Sequence, residues 1–167
     1  LKQLLFPIVR IELPDRGLEK KRAEDTRSLK LLDHHQESIA RQYDGGHRII
    51  TGPSGSGKTL ILVHRAALLK RYNPAIRNIL FVCYNITLVN YVRRLLSDKH
   101  VPLDEDGVDV LHFFELCGRI TGEEIPYEKA DTEYYDLVIK DTLEKLPGSP
   151  LKYDAVLVDE GQDFSDD

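Results

Sequence analysis

The sequence predicts an α/β fold in which a parallel β-sheet carries helices on both faces. Short apolar runs, typical of strands that are covered on both faces, alternate along the chain with longer segments that repeat apolar residues at helical spacing. Repeated strand–helix units of this kind connect parallel strands through helices that pack on the sheet. The length of 167 residues suits one hydrophobic core.

The elements can be justified in chain order. Residues 1–30 pass from an apolar start into a charged stretch, and we interpret them as a linker or the remnant of an upstream domain. A helix is predicted over 32–43, where Asp33 and Gln36 have the spacing of a capping box and Asp44-Gly45-Gly46 ends the helix. The later predicted elements are strands at 48–51, 79–84, 108–111 and 155–158, and helices at 58–72, 86–96, about 113–120 and 132–146, with a loop over 121–130.

Composition narrows the class of protein. No apolar run approaches the roughly 20 residues that span a bilayer, and the N-terminus lacks the layout of a signal peptide, so we expect a cytoplasmic protein that does not enter a membrane. The cysteines Cys83 and Cys117 fit neither a disulfide framework nor a metal site, and we expect two buried thiols in a reducing compartment. The absence of Met suggests a piece of a longer polypeptide.

The net charge of −5 conceals an uneven distribution. Residues 51–100 carry eight Lys or Arg and one acid, whereas residues 101–167 carry five Lys or Arg and nineteen acids. A fold that gathers the basic middle on one surface could bind phosphate backbones. Ordinary variation of surface charge along a chain is the alternative explanation.

Residues 52–59 match the P-loop pattern G-x-x-x-x-G-K-[ST] in full, between a predicted strand and a predicted helix. Glycines allow a backbone to wrap a phosphate, and the N–H groups at the start of the helix supply positive charge. Lys58 is expected to reach the β- and γ-phosphates, and Thr59 to offer its hydroxyl to Mg²⁺. A chance match in a glycine-rich turn is the alternative. The nucleotide-binding residues predicted here are Gly52, Gly55, Ser56, Gly57, Lys58 and Thr59.

A pair of acids follows the last predicted strand. We expect Asp159, at the tip of this strand, to hold Mg²⁺ through its water shell, and Glu160 to take a proton from the attacking water. Two adjacent acids are commonplace, but this pair ends an apolar strand about a hundred residues after a P-loop. The two motifs together predict nucleotide binding and hydrolysis.

Residues 159–163, DEGQD, resemble the D-E-x-Q-D box of the UvrD/Rep-like superfamily 1 helicases. The resemblance covers residues 31–167 and implies a P-loop NTPase domain of RecA-like fold that uses ATP and Mg²⁺. It also implies that Lys58 and Glu160 are catalytic and that Gln162 contacts the γ-phosphate and couples hydrolysis to movement.

Two further segments resemble nucleotide-binding motifs of this family. Residues 32–36, LDHHQ, look like its Q motif, in which Gln36 would read the adenine edge, because a side-chain amide both donates and accepts hydrogen bonds. The alternative is that Gln36 only completes the capping box. Residues 62–66, LVHRA, are similar to the helix after the P-loop, where Arg65 would reach the nucleotide.

The remaining resemblance concerns nucleic acid. Residues 81–87, FVCYNIT, occupy the place of motif Ia, so Tyr84 could stack on a base and Asn85 or Thr87 could bond a phosphate, unless Tyr84 belongs to the core. Residues 110–113 resemble a strand end that carries a Thr and a His. Only His112 is present here, and it is either a contact to nucleic acid or a structural histidine.

The family resemblance implies the ATP-binding part of a translocase or helicase on single-stranded nucleic acid, with DNA favoured over RNA. The domain would be truncated after its Walker B motif, the apolar strand that ends in Asp159-Glu160. A second RecA-like domain of the same polypeptide would supply an arginine finger. A nucleotide-dependent switch or assembly NTPase without translocation is the alternative. A small-molecule kinase is disfavoured by the Gln162-Asp163 pair.

Overall fold

The chain has an α/β fold with a three-stranded parallel sheet flanked by helices. A computed structural model describes residues 9–12, 34–40, 46–103, 106–126 and 132–163. The chain divides into two compact units, residues Leu1–Tyr72 and Asn73–Asp167. Within the described residues no helix is long and apolar enough to cross a membrane.

The first unit contains two strands that pair in parallel. Its elements are β1 (Val9–Glu12), α1 (His34–Ala40), β2 (Arg48–Thr51) and α2 (Lys58–Tyr72). Val9 lies opposite Arg48 and Glu12 opposite Thr51. No strand was predicted within residues 1–30, because the apolar–charged alternation of β1 lasts only four residues.

The core of the first unit joins α1 to α2. Ile39 and Ala40 of α1 are buried against Ile61 of α2, and Ile50 and Leu68 pack against them. The predicted helix over 32–43 is therefore present at least over His34–Ala40. Its predicted N-cap, Asp33, and the first two residues of the predicted stop, Asp44 and Gly45, lie outside the described residues.

The second unit follows the predicted order of strands and helices, and the observed ends differ by one or two residues. Its elements are β3 (Ile79–Cys83), α3 (Ile86–Asp98), β4 (Val108–His112), α4 (Phe113–Thr121), α5 (Thr132–Lys145) and β5 (Ala155–Asp159), with short 3-10 turns at Leu146–Gly148 and Gly161–Asp163.

The sheet of the second unit has the strand order β4-β3-β5, and both pairings are parallel. All five residues of the central strand β3 are buried, as the sequence predicted. Its last residue, Cys83, lies opposite His112 of β4 and Asp159 of β5. The carboxyl ends of the three strands therefore bring these three residues into one row.

Strand β5 is less buried than its apolar sequence suggests. Val156 and Val158 are 56% and 45% exposed, although their β3 neighbours Leu80 and Val82 are buried. The cluster that contains Leu80 and Val82 extends towards β4 and α4, and β5 lies at the end of the three-stranded order. The expectation of a fully buried strand was therefore wrong for this face of β5.

Candidate functional site

The P-loop connects the end of β2 to the start of α2. Gly55 and Gly57 have φ angles of 75° and 92°, a backbone conformation that residues with a side chain rarely adopt. The Ser56 N–H donates to the Pro53 carbonyl at 3.2 Å, which closes a tight turn. These two glycines therefore determine the path of the loop.

The side chain of Lys58 folds back over this loop. Its Nζ donates to the carbonyl oxygens of Gly52 at 3.0 Å and Pro53 at 3.3 Å. Thr59, the next residue, is half-buried in the first turn of α2. The lysine ammonium and the threonine hydroxyl are thus carried by the loop and by the first turn of the helix that follows it.

Ser56 is the buried polar residue of the loop. Its side chain is 6% exposed, and its Oγ has no hydrogen-bond partner within the part of the chain that the structure describes. A buried hydroxyl without a partner is unfavourable unless a further group satisfies it. Oγ is therefore a candidate donor to an anion in this loop.

Gln36 of α1 contacts the P-loop directly. Its Nε2 donates to the Ser56 carbonyl at 2.9 Å. A contact between Gln36 and adenine was predicted from the sequence, and that role stays a prediction. The alternative role in a capping box involves Asp33, which lies outside the described residues.

Arg65 lies on α2 two turns after Lys58, and its side chain is half-buried. Residues seven apart on a helix share one face, so Arg65 belongs to the face of α2 that carries Lys58. Its predicted contact to the nucleotide stays a prediction.

The acidic strand end belongs to the second unit. Asp159 is 2% exposed, and its Oδ1 accepts a hydrogen bond of 3.1 Å from the backbone N–H of Glu160. Glu160 is half-buried and has a φ angle of 53°, in the left-handed region. The turn after β5 therefore holds a non-glycine residue in a conformation that costs free energy and that is often found at functional sites.

The thiol of Cys83, opposite this carboxylate on β3, is buried. Burial, and then the negative charge of Asp159, raise the pKa of Cys83 to about 12, against the opposing positive charge of Arg93. Arg93 reaches this region from α3 and donates from Nη2 to the Val110 carbonyl at 2.8 Å. Cys83 and Cys117 are both free and buried, as the sequence predicted.

Two of the predicted contacts to nucleic acid cap a helix. Oδ1 of Asn85 accepts hydrogen bonds from the Thr87 N–H at 2.9 Å and from the Thr87 hydroxyl at 2.7 Å, and Asn85 is the N-cap of α3. Both side chains are exposed. A phosphate contact by these residues stays a prediction.

The other two predicted contacts pack among aromatic rings. The Tyr84 ring lies 6.3 Å from the His112 ring and 6.3 Å from the Phe114 ring. His112 is 6% exposed, and its Nδ1 accepts a hydrogen bond of 3.3 Å from the Phe114 N–H as the N-cap of α4. Burial lowers the pKa of His112, although a hydrogen bond with the Tyr84 backbone opposes the shift. His112 thus caps α4 and packs among aromatic rings, and its contact to nucleic acid stays a prediction.

An open cavity of about 490 Å³ lies beside Glu160 in the second unit. Asn85, Thr87, Leu88 and Tyr91 of the loop and helix after β3 line its other side. Tyr91, which is 39% exposed, was not among the residues predicted from the sequence. Its spacing from Thr87 and Leu88 places all three on one face of α3, and this pattern could have identified it.

Comparison with protein-family models, with curated proteins and with solved structures finds no match to this chain. Within the described residues, no group of three or more His, Cys, Asp or Glu side chains could hold a metal ion by itself. The function of this chain is therefore inferred from its residues and their geometry.

Proposed function

We propose that this chain is the first RecA-like, ATP-binding domain of a UvrD/Rep-like superfamily 1 translocase. The observation that carries the proposal is the P-loop itself, in which Gly55 and Gly57 take left-handed conformations immediately before the 15-residue helix α2. A helix N-terminus preceded by such a loop presents backbone N–H groups and a positive dipole end to an anion.

The side chains of the loop fit a polyphosphate. Lys58 supplies a positive charge, Ser56 supplies a buried hydroxyl, and the first turn of α2 contains no acidic residue that would repel a phosphate. Thr59 of the first unit offers a hydroxyl, and Asp159 of the second unit offers a buried carboxylate. Each is an oxygen of the kind that Mg²⁺ binds together with substrate phosphates. Bound Mg²⁺ would neutralise part of the phosphate charge.

Glu160 is the residue that we propose to accept the proton of the attacking water. Its carboxylate borders the open cavity, so water can reach it, and Gln162 donates a hydrogen bond to its Oε2. A general base must be held within hydrogen-bond distance of the proton that it takes, and this hydrogen bond restricts the Glu160 side chain.

A translocase and a nucleotide-dependent switch differ in whether nucleic acid binds at the carboxyl ends of the strands. Asn85 and Thr87 share the cavity with Glu160, and this arrangement supports a polynucleotide contact close to the hydrolytic carboxylate. The burial of His112 favours instead an NTPase that acts as a switch or in assembly, because a residue that is 6% exposed offers little surface to a strand.

The test is MgATP binding by this chain, measured by calorimetry, together with ATP hydrolysis by the two-domain polypeptide that the proposal implies, with and without single-stranded DNA or RNA. We expect Lys58→Ala to abolish binding and hydrolysis, whereas Lys70→Ala, in the last turn of the same helix, leaves both unchanged. Strong stimulation by an oligonucleotide supports the translocase, and the better activator identifies the substrate. An ATP hydrolysis rate that neither oligonucleotide changes supports the switch. MgATP binding by Lys58→Ala that is as tight as that of the unaltered chain contradicts the nucleotide site.

The 167-residue chain by itself is expected to bind MgATP modestly and to hydrolyse it slowly. An arginine finger from a second domain contributes on the order of 10³–10⁵ in rate in related NTPases. Rapid hydrolysis by this chain alone would contradict the proposal that the catalytic groups are divided between two domains.

A further inference from the structure

A side chain of α1 holds the backbone of the P-loop. The Nε2 atom of Gln36 donates a hydrogen bond of 2.9 Å to the carbonyl oxygen of Ser56, twenty residues further along the chain. The amide of Gln36 is half-buried at this contact. A contact between a helix and a loop so far apart in sequence depends on how the helix is anchored.

The packing of α1 fixes the position of Gln36. Gln36, Ile39 and Ala40 are spaced i, i+3 and i+4, so they lie on one face of the helix. Ile39 and Ala40 are buried in the cluster that includes Ile61 of α2, one turn after the P-loop lysine. The same hydrophobic contact that holds α1 on α2 therefore directs Gln36 at the loop.

The peptide bond between Ser56 and Gly57 transmits this contact. A trans peptide is planar, so its carbonyl and its N–H point in opposite directions. When Gln36 holds the Ser56 carbonyl, the N–H of Gly57 must point away from Gln36. A Cβ on Gly57 would lie 2.6 Å from Nε2 of Gln36, so this arrangement also requires glycine at position 57.

We propose that Gln36 is a positioning residue for the phosphate-binding loop, which orients the Gly57 N–H towards the bound phosphates. This inference rests on the proposed nucleotide site and goes beyond the expected contact to adenine. The two roles differ in one respect. A residue that only contacts adenine does not change the affinity for a ligand without a base, whereas a residue that orients the loop changes the affinity for every polyphosphate.

Inorganic tripolyphosphate is therefore the probe, compared with ATP in the presence of Mg²⁺ by calorimetry. We expect Gln36→Ala to weaken both ligands by a similar factor of about fivefold, the effect of one neutral hydrogen bond. Gln36→Glu should weaken both at least as much, because a carboxylate cannot donate to the Ser56 carbonyl. Ser38→Ala, on an exposed position of the same helix, is the control and should change neither.

The two variants separate the hydrogen bond from packing, because Glu has the length of Gln and fills the same space but cannot donate the hydrogen bond. Normal tripolyphosphate binding by Gln36→Glu, or a loss confined to ATP in both variants, would overturn the positioning role and leave the nucleotide site intact. If the unaltered chain binds neither ligand, the proposed function itself is wrong and the inference falls with it. Thermal melting of each variant verifies that the comparison is made between folded proteins.

Discussion

Gln162 donates a hydrogen bond of 2.5 Å from its Nε2 to Oε2 of Glu160, across the turn that follows β5. Glu160 has a left-handed φ of 53°, and its own N–H donates to Asp159. The turn thus directs the amide of one proposed catalytic residue at the carboxylate of another. The conformational cost at Glu160 is sustained by these local contacts.

The conformation of Glu160 can be tested by stability. Glycine adopts left-handed φ without the steric cost that a Cβ imposes, roughly 1–2 kcal/mol. We expect the free energy of unfolding of Glu160→Gly to be about 1 kcal/mol higher than that of Glu160→Ala. Urea denaturation followed by circular dichroism measures this difference. Both variants should lose ATP hydrolysis, since neither retains the carboxylate. Equal unfolding free energies would show that residue 160 is not held at positive φ.

The cap of α3 can be separated from a contact to nucleic acid. Asn85→Ala removes the acceptor for the Thr87 N–H and should lower the unfolding free energy by about 1 kcal/mol. Asn85→Asp keeps the cap and should retain stability, but it adds a negative charge at an exposed position. If a phosphate backbone binds there, Asn85→Asp weakens oligonucleotide binding measured by fluorescence anisotropy, and an unchanged affinity would argue against contact at this loop.

A partly buried hydrogen-bond network around Asp109 predicts a dependence of stability on alkaline pH. Oδ2 of Asp109 accepts from the Tyr153 hydroxyl at 2.8 Å and from Nη1 of Arg119 at 2.7 Å. Burial, and then the contact with Asp109, raise the pKa of Tyr153 from 10.0 to about 12, against the opposing charge of Arg119. Between these values the folded state binds more protons than the unfolded state, so the unfolding free energy falls as the pH rises.

We expect Tyr153→Phe to lower stability by about 1 kcal/mol at neutral pH, because it removes the hydrogen bond to Asp109. The variant should also show a smaller loss of stability between pH 10 and about 12 than the unaltered chain. Tyr72→Phe, at a position that is 58% exposed, is the matched control. If Tyr153→Phe loses as much stability over this pH range as the unaltered chain does, other groups cause the loss.

The two thiols should be unreactive in the folded protein. Burial raises the pKa of Cys117 as it does that of Cys83, for which the value reaches about 12, and the thiolate is the reactive form. We expect Ellman's reagent at pH 8 to label neither thiol in buffer and both in guanidinium chloride. Rapid labelling of the native chain would contradict the buried positions, and Cys117→Ala would then identify the exposed thiol.

Local patterns in the sequence predicted much of the candidate site. Lys58 and the glycines around it form a pattern of eight consecutive residues, and the pair Asp159-Glu160 ends an apolar run. The contact between Gln36 and Ser56 was not predicted, because it joins two elements through a hydrophobic cluster. The sequence left the role of His112 open; the structure shows that this residue is buried and caps α4, and its contact to nucleic acid stays a prediction.

The order of strands and helices after residue 45 was determined by the sequence alone, because periodicity, caps and turn residues act over a few neighbouring positions. Only the tertiary structure decided that β3 lies between β4 and β5 and that Cys83, His112 and Asp159 share one row. It also decided that β1 pairs with β2. Strand order and register depend on pairings between distant segments, and the periodicity of a single strand does not encode its neighbour.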